Sequence, residues 1–282
     1  VSGLAGEGDA ERLMPGQDMP FDDRGLAYGD GLFETVLVRD GEPLLWDEHL
    51  ARLARGALAL GIPMPPRATL EALPARAGPG LAVLKLVLTR GSGGRGYLAP
   101  EAPAPRLRWQ TAPFAPLASR WTQGVRVRHC RLRLGIQPAL AGLKHLNRLE
   151  NVLARAEWSD PEVAEGVLAD AEGRLVEATC MNLFWWQDGA WQTPRLARCG
   201  VAGTLREALL ADGRVRETEA WPEALEGAEA VCLGNSLQGL WPVVRLDAAD
   251  GGCLARWAVN DRHRSLQAEA HARLGYPSYR DD

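Results

Sequence analysis

The stretch GLKHLNRLENVLARAEW, residues 142–158, sets Lys144 beside His145, Asn147 and Arg148. Its amine is either a solvated charge or a nucleophile and base held at a fixed spot. Glu177 stands in LVEATCMNLF, among residues that read as buried strand. A carboxylate there needs a partner, because burying its charge alone is costly, unless it faces solvent on the strand's polar side. Gly203-Thr204-Leu205 opens the short helical stretch GTLREALL. The free backbone N–H groups and dipole at such an end either hold an anion or are simply capped. Asn235-Ser236, in the turn after AVCLG, could donate to the same anion or close the turn. Arg52 offers a forked cation for phosphate, or an i,i+4 pair with Glu48.

Each signal is weak alone. Together they supply an amine, a carboxylate, an arginine and two donor-rich turns, which is the set that pyridoxal 5'-phosphate requires. The aldehyde needs a lysine, the pyridine nitrogen needs an acid partner that keeps it protonated, and the phosphate needs a cationic cradle.

These groups must be positioned by a mixed α and β chain. Residues 32–39 read as a strand and 41–43 as a turn. Residues 44–62 read as an amphipathic helix, capped by Asp47 and stopped by Gly61 and Pro63. Strands are expected over 81–90 and 106–113, separated by the glycine-rich turn GSGGRGY. Prolines and small residues over 111–121 suggest a linker, and 124–134 alternates as a strand. The spacing of Leu143, Leu146, Leu149, Leu153 and Ala156 predicts a helix that starts near Lys144 and buries one apolar face. Residues 165–194 read as a meander with turns at Glu172-Gly173 and Asp188-Gly189, in which Trp185, Trp186 and Trp191 fill the core. A short helix over 203–210, a strand–turn–strand over 230–246 and a helical stretch over 253–274 complete the chain. The expected division is a small N-terminal α/β domain over 1–114, a linker over 115–122 and a larger domain over 123–282, with the site between them.

The 282 residues suffice for two domains with large cores. A net charge of −4 lends nothing to nucleic-acid or polybasic membrane binding, and no apolar run is long enough to span a bilayer. Residues 1–20 lack a signal-peptide pattern. Cys130, Cys180, Cys199, Cys232 and Cys253 are odd in number and lack C-x-x-C spacing. They read as reduced thiols of a cytoplasmic protein, with no metal site expected.

The segments DDRGLAYGDGLFET (22–35), EHLARL (48–53), LTRGSGGRGY (88–97), GLKHLNRLENVLAR (142–155), VEATCMNLF (176–184) and GVAGTLRE (200–207) occur in that order. This resembles the fold-type-IV pyridoxal-phosphate enzymes, the class IV aminotransferase family, over roughly residues 20–246. RGSGGRGY and KHLNRLE are more particular to the members that act on aminodeoxychorismate. The resemblance implies a two-domain α/β fold with a pseudo-barrel sheet in the larger domain, pyridoxal phosphate as cofactor, and a homodimer. It implies conversion of 4-amino-4-deoxychorismate to 4-aminobenzoate and pyruvate, a step of folate synthesis. It casts Lys144 as the Schiff-base lysine and general base, and Glu177 as the carboxylate facing the pyridine nitrogen. Arg52, the Gly203-Thr204-Leu205 helix end and the Asn235-Ser236-Leu237 turn become the phosphate site. Tyr28 becomes an aromatic on the substrate side. Arg95 is the candidate fork for a substrate carboxylate, with Arg90 and Tyr97 behind it; Arg95 could equally be a solvated loop charge. His145, pointing elsewhere than Lys144, stays outside the catalytic set. Rival readings are a branched-chain or D-amino-acid aminotransferase on the same scaffold, and a non-catalytic pyridoxal-phosphate-binding dimer. In one departure from the pattern, residues 3–20 show no strand ending in an Asn-Gly or Asp-Gly turn.

Overall fold

Alternation in GLFETVLVR places Leu32, Glu34, Val36 and Val38 on one face of a strand, and that face is buried. The structure, a computed structural model, describes residues 18–279. The segment before residue 18, where no first strand is legible, lies outside the described residues. A short helix α1 (Arg24–Tyr28) leads into β1 (Gly31–Arg39), β2 (Glu42–Pro43) and helix α2 (Trp46–Leu60). Then come α3 (Arg67–Glu71), β3 (Leu81–Thr89) and β4 (Arg106–Pro113). The strands form an antiparallel sheet in the order β2-β1-β3-β4. Leu50, Leu53 and Ala57 of α2 pack on Leu32, Val36, Leu84, Leu86 and Leu88 of the sheet. The N-cap of α2 is Leu45, in left-handed conformation with no side-chain cap, so Asp47 lies inside the helix instead of capping it. Gly61 ends it as expected.

The rest of the chain builds a nine-stranded sheet curled into a half-barrel. After α4 (Ala118–Thr122) it contains β5 (Val125–Leu134), helix α5 (Leu149–Arg155), β6 (Val163–Asp170), β7 (Leu175–Ala178), β8 (Asn182–Gln187) and β9 (Ala190–Pro194). Helix α6 (Thr204–Ala211), β10 (Arg216–Thr218), α7 (Glu223–Glu226), β11 (Ala230–Asn235), β12 (Gly239–Asp247), β13 (Cys253–Arg256) and α8 (Asp261–Ala272) follow. The strand order is β10-β9-β8-β11-β12-β5-β6-β7, with β13 on β12. Trp185 and Trp191 are buried in its main core with Phe184, Leu205, Leu209 and Leu233, and Trp186 packs at its edge. Within the expected linker, Trp121 of α4 is buried and its Nε1 donates to the Gln238 carbonyl.

Two helices differ from expectation. Of residues 253–274, the first four form strand β13, and the helix begins only after Asn260, which caps it with His263 in a reciprocal box. The helix expected from Lys144 onward is confined to Leu149–Arg155. Residues 142–146 are not helical because their backbone groups find partners on both sides. Gly142 N–H donates to Gly200 O at 2.9 Å and Gly142 O accepts from Ala202 N–H at 3.1 Å. Phe33 N–H donates to Lys144 O, and Leu146 N–H to Gly31 O, both at 3.0 Å. Tertiary pairing overrides local periodicity here. On the supposed core face of the helix Leu149 and Leu153 are 68% and 54% exposed, and Val152 beside them is 60% exposed.

Candidate active site

Lys144 is thus stitched between the two sheets, with β1 on one side and the 200–202 segment on the other. Its Nζ lies 4.3 Å from the centre of the Phe33 ring. Burial, aided by the nearby Arg52 guanidinium, brings its pKa down to about 8, against the pull of Glu34 and Glu177. Lys85 and Lys144 are the only lysines in the chain, and Lys85 is exposed on β3.

Glu177 ends up on the buried side of β7 and not on a polar one. Its Oε2 accepts from Val201 N–H at 2.8 Å. Burial pushes its pKa up, and the Val201 N–H, Arg148, Lys144 and Asn151 offset part of that rise. Val201 also bridges to Gly142, so the segment carrying Lys144 and the carboxylate of Glu177 share one anchor.

Arg52 does not pair with Glu48. It forks onto Glu34, with Nε at 2.8 Å from Oε1 and Nη2 at 2.5 Å from Oε2. Its Nη1 donates to Ala202 O at 3.0 Å, which lays the guanidinium at the start of α6. These contacts engage three of the five N–H groups that a guanidinium has. Burial works to raise the pKa of Glu34, but Arg52 and His49 overcome it and hold the carboxylate at about 2. His49 Nδ1 lies 2.7 Å from Glu34 Oε2 and its Nε2 3.4 Å from Thr204 Oγ1. Burial lowers the pKa of His49 against the pull of Glu34, and because a carboxylate only accepts, it is Nδ1–H that donates to Glu34.

Gly203 is the N-cap of α6, without a side-chain cap bond. A Cβ at Gly203 would lie 1.9 Å from Asn182 Oδ1, so glycine is required for the close approach. Asn182 donates to Val201 O and pairs in register with Gly234 of β11. The start of α6 and the turn after β11 therefore lie at one end of the sheet. In that turn Asn235 closes the backbone: its Oδ1 accepts from Leu237 and Gln238 N–H, and its amide donates to Cys180 O. The Leu237 N–H is thereby occupied, while Ser236 is nearly buried beside it. An anion at this end could take donors from Thr204, Leu205, Ser236 and the free N–H groups of Arg52.

The substrate-side candidates divide. Tyr28 and Tyr97 meet with ring centres 5.4 Å apart, both open to solvent. Arg95 is exposed on the glycine-rich loop. Arg90 is used internally, forking onto Asp30 at 2.7 and 3.0 Å and donating to the Leu60 and Gly61 carbonyls at the end of α2. It braces that helix, and the structure does not present it as a carboxylate receptor. What holds the loop is Arg24, which donates to the carbonyls of Gly93, Gly96, Tyr97 and Leu98 and pairs with Asp30.

Glu34, His49, Asn182 and Arg24 escaped sequence reasoning. A signal existed for two of them: Glu34 falls in phase with Leu32, Val36 and Val38, and His49 with Arg52 and Leu53 on the apolar stripe of α2. Nothing local marked Arg24 or Asn182.

The family model described as amino-transferase class IV matches residues 31–246. An aminodeoxychorismate lyase of Vibrio harveyi is 36% identical over 245 residues, covering 84% of this chain and 90% of that one. A putative branched-chain-amino-acid aminotransferase of Methanocaldococcus jannaschii is 31% identical over 195 residues, 67% of each chain. The crystal structure of 4-amino-4-deoxychorismate lyase from Pseudomonas aeruginosa superposes with a TM-score of 0.85 at 45% identity, over 93% of this chain and 97% of that one. With a matched span that holds Lys144, Glu177, Arg52 and the start of α6, the chain belongs to the class IV aminotransferase family.

Proposed function

We propose that this chain is a pyridoxal-phosphate-dependent carbon–oxygen lyase that converts 4-amino-4-deoxychorismate to 4-aminobenzoate and pyruvate. The observation that carries the reading is the Lys144 amine, with its pKa near 8, set between the charges of Arg52 and Glu177. Similarity to two proteins named for this lyase supports the substrate.

The residues present fit the cofactor. The start of α6, closed to any side chain at Gly203, accepts a phosphate through backbone N–H groups, with Arg52 and Ser236 beside it. Glu177 suits the pyridine nitrogen, since a buried carboxylate with raised pKa readily shares a proton. When bound, pyridoxal phosphate supplies an aldehyde for an amine and a ring that accepts electrons. Lys144 would hold the aldehyde of that group, and its amine, when free, is placed to act as a base. It removes the proton from the amine-bearing carbon and hands a proton to the departing enol oxygen. Phe33 and the enclosing strands keep water from that amine. Arg95 forks onto a substrate carboxylate, with Tyr28 and Tyr97 along the ring; Arg24 shapes the loop that carries Arg95 and Tyr97.

We further propose two domains joined near residues 115–122, a cytoplasmic setting, and a homodimer. The dimer rests on the open apolar face of α5 and on exposed Leu26 and Tyr97 near the same site. Similarity to a putative aminotransferase keeps amino transfer as the rival activity. A paired assay decides. Pyruvate and 4-aminobenzoate in equal amounts from aminodeoxychorismate are expected; transfer of an amino group to a keto acid, with no pyruvate from that substrate, would overturn the lyase reading.

A further inference from the structure

A second cleft of about 450 Å³ lies away from Lys144, between β5, α7 and the loop from β12 to β13. It shares no residue with the site described above. Its volume falls in the range of roughly 300–1,000 Å³ common for small-molecule sites. Arg131 and Arg133, two residues apart on β5, line the cleft together with His129. Glu223 and Glu226 of α7 line it too. Among the described residues none of these four charges forms an ion pair within 4 Å, although both signs border one space. Elsewhere the chain pairs its arginines readily, as at Arg126 with Asp247 and at Arg206 with Glu217. The Nε2 of His129, also in the lining, is buried with no hydrogen-bond partner. Leu254 adds an apolar patch.

Two guanidinium groups and two carboxylates that line one cleft without pairing match a molecule that carries both charges itself. A carboxylate takes the planar fork of an arginine, and an ammonium group donates to carboxylates. We propose that this cleft is a second binding site for a free α-amino acid. The carboxylate lies on Arg131 and Arg133, the ammonium on Glu223 and Glu226, and an apolar side chain on Leu254. A simple anion would meet the two glutamates unfavourably, and a simple cation the two arginines, so the lining selects the zwitterion. The site stands apart from the lyase reading and does not depend on it.

Calorimetric titration of the cofactor-loaded protein with phenylalanine tests this, with the visible absorption of the cofactor followed in parallel. Saturable binding that leaves the absorption unchanged is expected. It should weaken at least tenfold in both Arg133→Gln and Glu223→Gln, whose exposed positions leave the melting temperature and turnover as in the parent. N-acetylphenylalanine and phenylalanine methyl ester, each lacking one charge, should not bind. The proposal is overturned if no saturable heat appears, or if binding perturbs the cofactor and ignores both substitutions. It is equally overturned if the N-acetyl compound or inorganic phosphate binds as well as phenylalanine, which would mark a plain anion site.

Discussion

The Nη1 of Arg52 donates to the carbonyl of Ala202 at 3.0 Å, one residue before the N-cap of α6. A cation from helix α2 is thereby fixed against the N-terminal end of α6. Glu34 sets its orientation from behind, through both carboxylate oxygens.

Glu34→Gln should strip Arg52 of its buried counter-charge. The expected loss is about 3 kcal/mol in urea unfolding at pH 7, the cost of leaving one member of a buried pair unpaired. Because the folded carboxylate titrates near 2 instead of 4.5, its stabilisation is complete above pH 4.5 and lost as pH falls towards 2. The variant should therefore show a flatter acid limb than the parent. Superimposable acid limbs would contradict the pairing.

Lys144 should titrate early. In the cofactor-free protein its modification by an amine reagent should reach half-maximum near pH 8, resolved by mass spectrometry from Lys85, the other lysine. The folded chain then binds fewer protons than the unfolded chain between about pH 8 and 10.5, so this group makes stability rise with pH across that window. A midpoint above 10 would show a solvated amine.

Glu177→Gln keeps an acceptor for the Val201 N–H and removes a charge that burial disfavours. With its folded pKa raised, the carboxylate favours folding while protonated, and that contribution is lost as pH rises through the folded pKa. The melting temperature at pH 7 should hold or rise, while turnover falls about a hundredfold, the lower end of what a proton-handling group contributes. Unchanged turnover would remove Glu177 from the reaction.

Arg24→Met should release the loop at residues 93–98, whose carbonyls Arg24 holds. The expected signature is a rise of about tenfold in KM for substrate with kcat nearly unchanged, as for loss of a positioning contact that is equal in ground and transition states. Equal losses in both constants would place the loop in the chemistry itself.

Much of this arrangement was legible in the residues. Strands β1, β3, β4 and β5 follow their alternation, and Gly61 and Gly203 mark helix ends as their chemistry requires. Lys144, Glu177 and Arg52 stand out as an amine, a carboxylate and a fork, and the charges of the last two act on the Lys144 amine. What local pattern could not reveal was decided by distant backbone. Leucine spacing after Gly142 reads as helix, yet Gly31 and Phe33 on one side and Gly200 and Ala202 on the other claim its hydrogen bonds. The exposure of Leu149, Val152 and Leu153 shows that apolar spacing need not serve the chain's own core. Arg90 and Arg24 carry the same side chain in the same neighbourhood. Only three-dimensional placement gives one to the end of α2 and the other to the loop.

Reduction of the cofactor-loaded protein with borohydride, followed by peptide mapping, tests the central role of Lys144 most directly. With two lysines in the chain the outcome is unambiguous. The pyridoxyl mass should be found on the peptide that contains Lys144 and not on the one that contains Lys85. A label on Lys85, or on neither, would contradict the assignment.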